Sequence, residues 1–349
     1  MQTESARSFQ LRYDILRNGA TYAQAVVAGP AAVSMDSRRK LKQVFSGDML
    51  LPDGIQRLTD RFRPVVLLDG VEYPVGQFVL TSVEKIWQEG GWIDRCEGYD
   101  LCFLVKRTRL EERLFCGKGE RYLDKIQQLL QQCGIDSALV EDCAETFATD
   151  REDWEIGTSV LDVVNDLLDE INYQSLWFDQ DGVARIQAIR EPGIHQIQHW
   201  YGPSRQDGYA LVKDGYTRQD DLFDVSNVFV VQCENPELDT VMQAVSVNDD
   251  PDSALSVIRQ GRVMAPVVKL DNVSSQQALQ RYADRLRWQS MTATETTVIQ
   301  TALNPVHLCG DILALEGDLA PGIYEETAWA MELAPGGMME HTLRRVLYL

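Results

Sequence analysis

The residues able to do chemistry in this chain are few, and most are badly spaced for it. Glu191, His195 and His199 recur every four positions, the spacing that would align a carboxylate and two imidazoles on one helical face as a metal triad. Pro192-Gly193 lies inside the set, and Ile194 and Ile197 give no helical stripe, so these residues read as polar positions in an interdomain strand or loop. Gly117-Lys118-Gly119 precedes a helical pattern, but a phosphate-cradling loop needs an earlier Gly and a Ser or Thr after the Lys. Both are missing, and the segment reads as a turn. No G-x-S-x-G elbow presents a nucleophilic serine.

The seven cysteines, Cys96, Cys102, Cys116, Cys133, Cys143, Cys233 and Cys309, are odd in number and form no C-x-x-C pair. They predict reduced thiols rather than a disulfide framework or a zinc cage. With 53 Asp and Glu, a glycosidase-type acid/base pair is formally possible, since that chemistry needs only two carboxyl groups about 5–9.5 Å apart. The sequence selects no such pair. It therefore predicts no catalytic residue, no metal and no cofactor, with an acidic, β-rich carbohydrate-active or cell-wall hydrolase as the alternative class.

The 349 residues make room for two domains or three small ones. The 33 Lys and Arg against 53 Asp and Glu leave a formal charge of −20. Such a field repels polyanions and argues against a duplex-DNA binder or a binder of anionic membranes. No apolar run approaches the roughly 18 residues of a membrane helix, and the N-terminus has no basic-then-apolar leader. The expectation is a soluble chain that stays in the compartment where it is made.

The first hundred residues read as strands: Asp69-Gly70 separates two β-rich runs, and Glu89-Gly90-Gly91 marks a second turn. Beyond Asp100 the period changes. Tyr122, Leu123, Ile126, Leu129, Leu130 and Cys133 fall at helical spacing before Gly134, and Val160, Leu161, Val164, Leu167, Leu168 and Ile171 form an apolar face behind a Ser159/Asp162 capping box. Leu176 to Ile189 reads as a hairpin around Asp181-Gly182. Strands return at Asn227, a third helix with Ser274 and Gln277 at capping-box spacing carries Leu279, Tyr282, Ala283 and Leu286, and the chain from Thr292 is β-rich to its end.

Several of these pieces, in order, resemble the tail and baseplate hub proteins of tailed phages and phage-tail-like particles. Asp69-Gly-Val-Glu-Tyr-Pro-Val-Gly76-Gln-Phe78 resembles that family's hairpin, and Cys96-Glu-Gly-Tyr-Asp100 its exit from the first barrel. Trp154-Glu-Ile-Gly157 with the following helix, and Leu176-Trp-Phe-Asp-Gln-Asp-Gly182, resemble its inserted α/β unit. Asp224-Val-Ser-Asn227-Val-Phe-Val-Val resembles the first strand of the second barrel, and Leu308-Cys-Gly310-Asp311 and Gly322-Ile-Tyr-Glu-Glu its closing strands.

The resemblance implies an α+β, mainly β fold of two tail-tube-like β-barrels with inserted α/β material. It places the first barrel at residues 1–100, the inserted domain at 101–203, and the second barrel at 204–349 with a helical insertion at about 245–290. It further implies a homotrimeric ring that joins a sixfold tail tube protein to a threefold central spike protein, contacts other baseplate proteins, and sits at the tail tip of a particle assembled in the host cytoplasm. DNA or a tape-measure protein would cross its bore without specific binding, and no membrane binding is expected. Three copies carry 3 × (−20) = −60 formal charges, more than folding requires. Glu316, Asp318, Glu325, Glu326 and Glu332, taken as exposed carboxylates of the β segments, are the candidate bore-lining residues, set against a generally acidic outer surface that only maintains solubility.

Overall fold

The computed structural model of the chain describes residues 8–88, 90–193, 196–202, 213, 215–234, 241–292, 295–317 and 320–347. It is α+β and mainly β. The first unit comprises β1 (Phe9–Arg17), β2 (Ala20–Asp36), β3 (Gln43–Leu50), β4 (Arg61–Leu68), β5 (Val71–Pro74), β6 (Val79–Gln88) and β7 (Gly91–Tyr99). Strand β3 shows why it forms: Gln43, Phe45, Gly47 and Met49 point inward and alternate with more exposed residues, the period of a half-buried strand. Asp69 and Gly70, with φ of 51° and 81°, turn β4 into β5 in the left-handed region that a two-residue primed turn requires. Tyr13, Phe45, Phe62 and Phe78 fill the core, with the Phe45 and Phe62 rings 4.5 Å apart.

Asp100 ends the first unit and fixes the start of the next. Its buried carboxylate accepts the backbone N–H of Lys42 at 3.1 Å, Gln43 at 3.0 Å and Cys102 at 3.1 Å. Burial pushes it up to about 6 against the pull of those donors. There follow α1 (Cys102–Arg107), α2 (Tyr122–Gln132), β8 (Ala138–Val140), α3 (Val160–Glu170), β9 (Trp177–Phe178) and β10 (Ala184–Ile186). The helical stripes read from the sequence are buried here: Ile126, Leu161, Val164, Leu167 and Leu168 all have zero exposure and share one core with Leu176, Phe178 and Ile186. The Ser159/Asp162 capping box does not form. Ser159 occupies the N-cap position but makes no cap bond, its hydroxyl donating instead to the Lys106 carbonyl at 2.9 Å and tying α3 to α1.

The rest of the chain forms β11 (Ile197–Tyr201), β12 (Thr217–Asp220), β13 (Val228–Cys233), β14 (Met242–Val247), α4 (Val257–Gln260), β15 (Val268–Leu270), α5 (Gln276–Thr292), β16 (Glu295–Ala302), β17 (Ile312–Leu315), β18 (Gly322–Glu332) and β19 (Met338–Leu347). Two expectations change here. Strand β13, taken for the first strand of the second barrel, pairs only with β14 and β15 among the described residues, in a small sheet packed beneath α5. The strand beside β16 is β12, and β11, placed by sequence in the inserted domain, pairs in parallel with β17. The second β unit thus starts before residue 203, and the unit inserted into it starts near 227 rather than 245. Helix α5 is capped by Ser275, whose hydroxyl accepts the Ala278 N–H at 3.1 Å, not by Ser274.

One 13-stranded sheet runs through both β units. The seam is β2 against β18, with Ala32 opposite Glu332 and Asp36 opposite Ala328. Among the described residues, eight of its strands follow the order β6-β7-β3-β2-β18-β19-β16-β12.

Candidate functional site

The buried face of the second unit holds a side-chain cluster that the sequence reading did not assemble. Glu326 on β18 is buried, with His341 of β19 presenting Nδ1 to its Oε1 at 2.5 Å and His307 presenting Nδ1 to its Oε2 at 2.6 Å. His307 Nε2 lies 2.7 Å from the Tyr201 hydroxyl, which also accepts from Asn304 Nδ2 at 3.3 Å. Tyr201 thus holds His307 from the side opposite the carboxylate. His341 Nε2 lies 2.8 Å from Thr301 Oγ1. His199 stacks on His307 with ring centroids 3.8 Å apart and bonds Asp311 at 2.9 Å.

Burial opposes charge on Glu326, yet the charges and N–H groups of His307 and His341 hold it down to about 2. Burial lowers His307 against the pull of the Glu326 carboxylate. These contacts form a hydrogen-bonded clamp. Two ligands on one ion with bonds of about 2.0–2.1 Å would hold their donor atoms more than 3 Å apart, whereas the imidazole nitrogens touch the carboxylate at hydrogen-bond distance. Glu326 and His341 at 0% and His307 at 1% exposure are enclosed, and the cluster joins β11, β16, β18, β19 and the loop before β17.

Glu191 is exposed in the loop before β11 and His199 lies on β11, so these two do not share a helical face, while His195 lies outside the described residues. The Gly117-Lys118-Gly119 segment is a turn whose Lys118 N–H is already taken by Asp150 at 2.6 Å. All seven cysteines are free. Of the bore candidates, Glu326 is corrected: its side chain points to the core, because it takes the inward position on β18 where two imidazoles receive it. Asp318 lies outside the described residues. Glu316 follows β17, off the eight-strand path, with its N–H on the Tyr201 carbonyl. Glu325 is on the outward face, ion-paired to Arg344 beside a cleft of about 420 Å³ formed with Trp177 and Trp288. Glu332 is outward and exposed.

The outward face of the eight strands is the surface with functional potential. Cross-strand register lines up Ser82, Glu97, Ser46, Ala32 and Glu332 in one row and Ser34, Ala330, Glu340 and Gln300 in the next, crossing the seam between units. Small and acidic residues dominate, with Arg95 held by Asp48 at 2.9 Å. The inserted unit and α5 cover this face at the Thr342 end, and a trough of about 990 Å³ opens at the other, between Glu84, Glu97 and Glu332. Glu97 and Glu340 were missed by sequence reasoning. Strict alternation with buried Cys96 and Met339 was the available signal.

The architecture is that of phage tail proteins. The chain is similar in structure to a tail protein from Neisseria meningitidis MC58, with a TM-score of 0.67 at 14% identity over 96% of each chain. It is also similar to the 43 kDa tail protein of prophage MuSo2 from Shewanella oneidensis, with a TM-score of 0.65 at 10% identity, covering 96% of this chain and 98% of that one. A third neighbour is an E. coli component of the type VI secretion system, described as structurally similar to bacteriophage T4 tail proteins. There the TM-score is 0.51 at 10% identity, over 96% of this chain and 77% of that one. No family model and no curated protein matches the sequence.

Proposed function

We propose that three copies of this chain close into a ring that serves as a structural tail or baseplate hub, joining a sixfold tail tube to a threefold central spike and forming part of the conduit. The observation that carries the reading is the continuous eight-strand sheet whose outer strands β6 and β12 have, among the described residues, no further partner strand beyond the Phe62–Phe78 bridge just before β6. Open edges invite pairing with another chain, and closed symmetry uses them up. Side by side, three copies bring 3 × 8 = 24 strands around one axis, and each contributes four strands from each of two β units, so the ring is threefold in chains and sixfold in the number of units.

The small, acidic face fits a bore through which DNA or an extended tape-measure protein slides, because carboxylates offer a polyanion no foothold. Under this reading the chain works at the tail tip of a phage or phage-tail-like particle, touches tube, spike and other baseplate proteins, and needs neither catalysis nor a cofactor. Native mass measurement and negative-stain imaging test it: a threefold ring is expected, free or in the particle. A chain that stays monomeric in both settings overturns the reading, and wall-degrading activity of the purified chain overturns its structural role.

A further inference from the structure

The ring reading leaves one exposed feature without an explanation. After β12 the chain runs Asp220-Asp-Leu-Phe-Asp224 with Leu222 62% and Phe223 91% exposed, the latter the most exposed large apolar side chain among the described residues. Asp221 Oδ1 accepts the Phe223 N–H at 3.0 Å and so shapes the turn that presents the ring to solvent. A folded chain has no use for a bare phenylalanine held out between aspartates, and an apolar anchor inside an acidic loop suits a partner surface that is aromatic at its centre and cationic at its rim.

This chain carries such a surface at its opposite edge. The Tyr99 and Phe103 rings stack with centroids 6.3 Å apart and planes 20° off parallel, both half-buried. Phe103, Lys106 and Arg107 are spaced to share one face of α1, where Lys106 and Arg107 are exposed. Register sets the two features at the same end of the sheet. Asp220 lies opposite Glu295, whose neighbour Thr296 pairs with Arg344 and through it with Glu325, just past the Ala328–Asp36 pair of the seam. Across the seam that end continues as Gln43 and Val44, then Tyr99, then Val79. With β12 of one copy beside β6 of the next, the loop leaving β12 would lie at the end of the sheet that carries Tyr99, one strand in from β6 and next to the Phe62–Phe78 bridge.

We infer that the Asp220–Asp224 loop is a clasp that seats Leu222 and Phe223 on Tyr99 and Phe103 of a second copy of this chain, with Asp221 and Asp224 facing Lys106 and Arg107. The inference rests on the ring reading and names the contact that closes it.

The test uses the full chain, reading copy-to-copy association by sedimentation and by incorporation into particles. Phe223→Asp is expected to melt like the parent and to associate at least tenfold more weakly. Arg107→Glu is expected to weaken association, and adding Asp224→Lys to restore it. If Phe223→Asp associates like the parent, the clasp is overturned while the ring stands. If Phe223→Asp weakens association but the charge swap restores nothing, the seat on α1 is overturned. A parent chain that never associates overturns the clasp and the ring together.

Discussion

At the scale of single residues, the Glu326 clamp is the most concentrated piece of chemistry in the chain, and its role is cohesion. One carboxylate faces two imidazole nitrogens in the buried core, so a neutral amide in its place can accept from only one of them. Glu326→Gln is expected to cost on the order of 2–4 kcal/mol at neutral pH, measured as the shift in urea midpoint. The pH dependence has a definite sign. Because Glu326 sits near 2 in the fold against 4.5 for the free side chain, its stabilisation is fully present above about 4.5 and is lost as pH falls towards 2. The gap in stability between the parent and Glu326→Gln should therefore narrow on acidification over that range; a gap that stays constant means the carboxylate is not held ionised by its imidazoles.

At the scale of elements, the sequence was most legible where one period dominated. The stripe of Val160, Leu161, Val164, Leu167 and Leu168 named the buried face of α3, and Asp69-Gly70 named a turn that only left-handed backbone can make. It was least legible where partners are distant in the chain. Nothing local distinguishes β13, which pairs within its own small sheet, from β12, which continues the large one, since both are short and neither alternates strongly. The clamp was illegible for the same reason: His307, Glu326 and His341 are separated by 19 and 15 positions and meet only through strand pairing. Glu326 was misread as exposed because alternation alone does not say which phase faces the core once β18 shifts register between Glu326 and Ala328. For the legible helix, Leu168→Asp would bury an unpaired charge against Leu176 and Ile186, and on the order of 4 kcal/mol of stability should disappear in a thermal melt. Normal folding of that variant would mean the face is not a core.

At the scale of the molecule, charge and topology point outward. Glu97, Glu332 and Glu340 are exposed on the cross-seam face, so replacing all three by Lys should cost no more than about 2 kcal/mol, roughly 0.5 kcal/mol per surface change plus their exposed hydrogen bonds to Tyr99, Met338 and Gln300. In a particle the same variant should slow delivery of the passing polymer; delivery at the parent rate would remove these residues from the bore. The seam has another consequence, which concerns synthesis rather than assembly. The core around Phe45 and Met35 is completed by Trp329, Met331 and Met339, so the first unit waits for residues almost 300 positions downstream. Pairings of such separation form slowly, and a nascent chain holds the β2 edge open until the last strands leave the ribosome. A fragment of residues 1–100 should therefore precipitate alone and become soluble when residues 101–349 are co-expressed with it. A soluble, monomeric fragment would show that the first unit closes without its C-terminal strands. The strand that joins the two β units thus makes the time needed to synthesise the whole chain a condition of folding its first hundred residues.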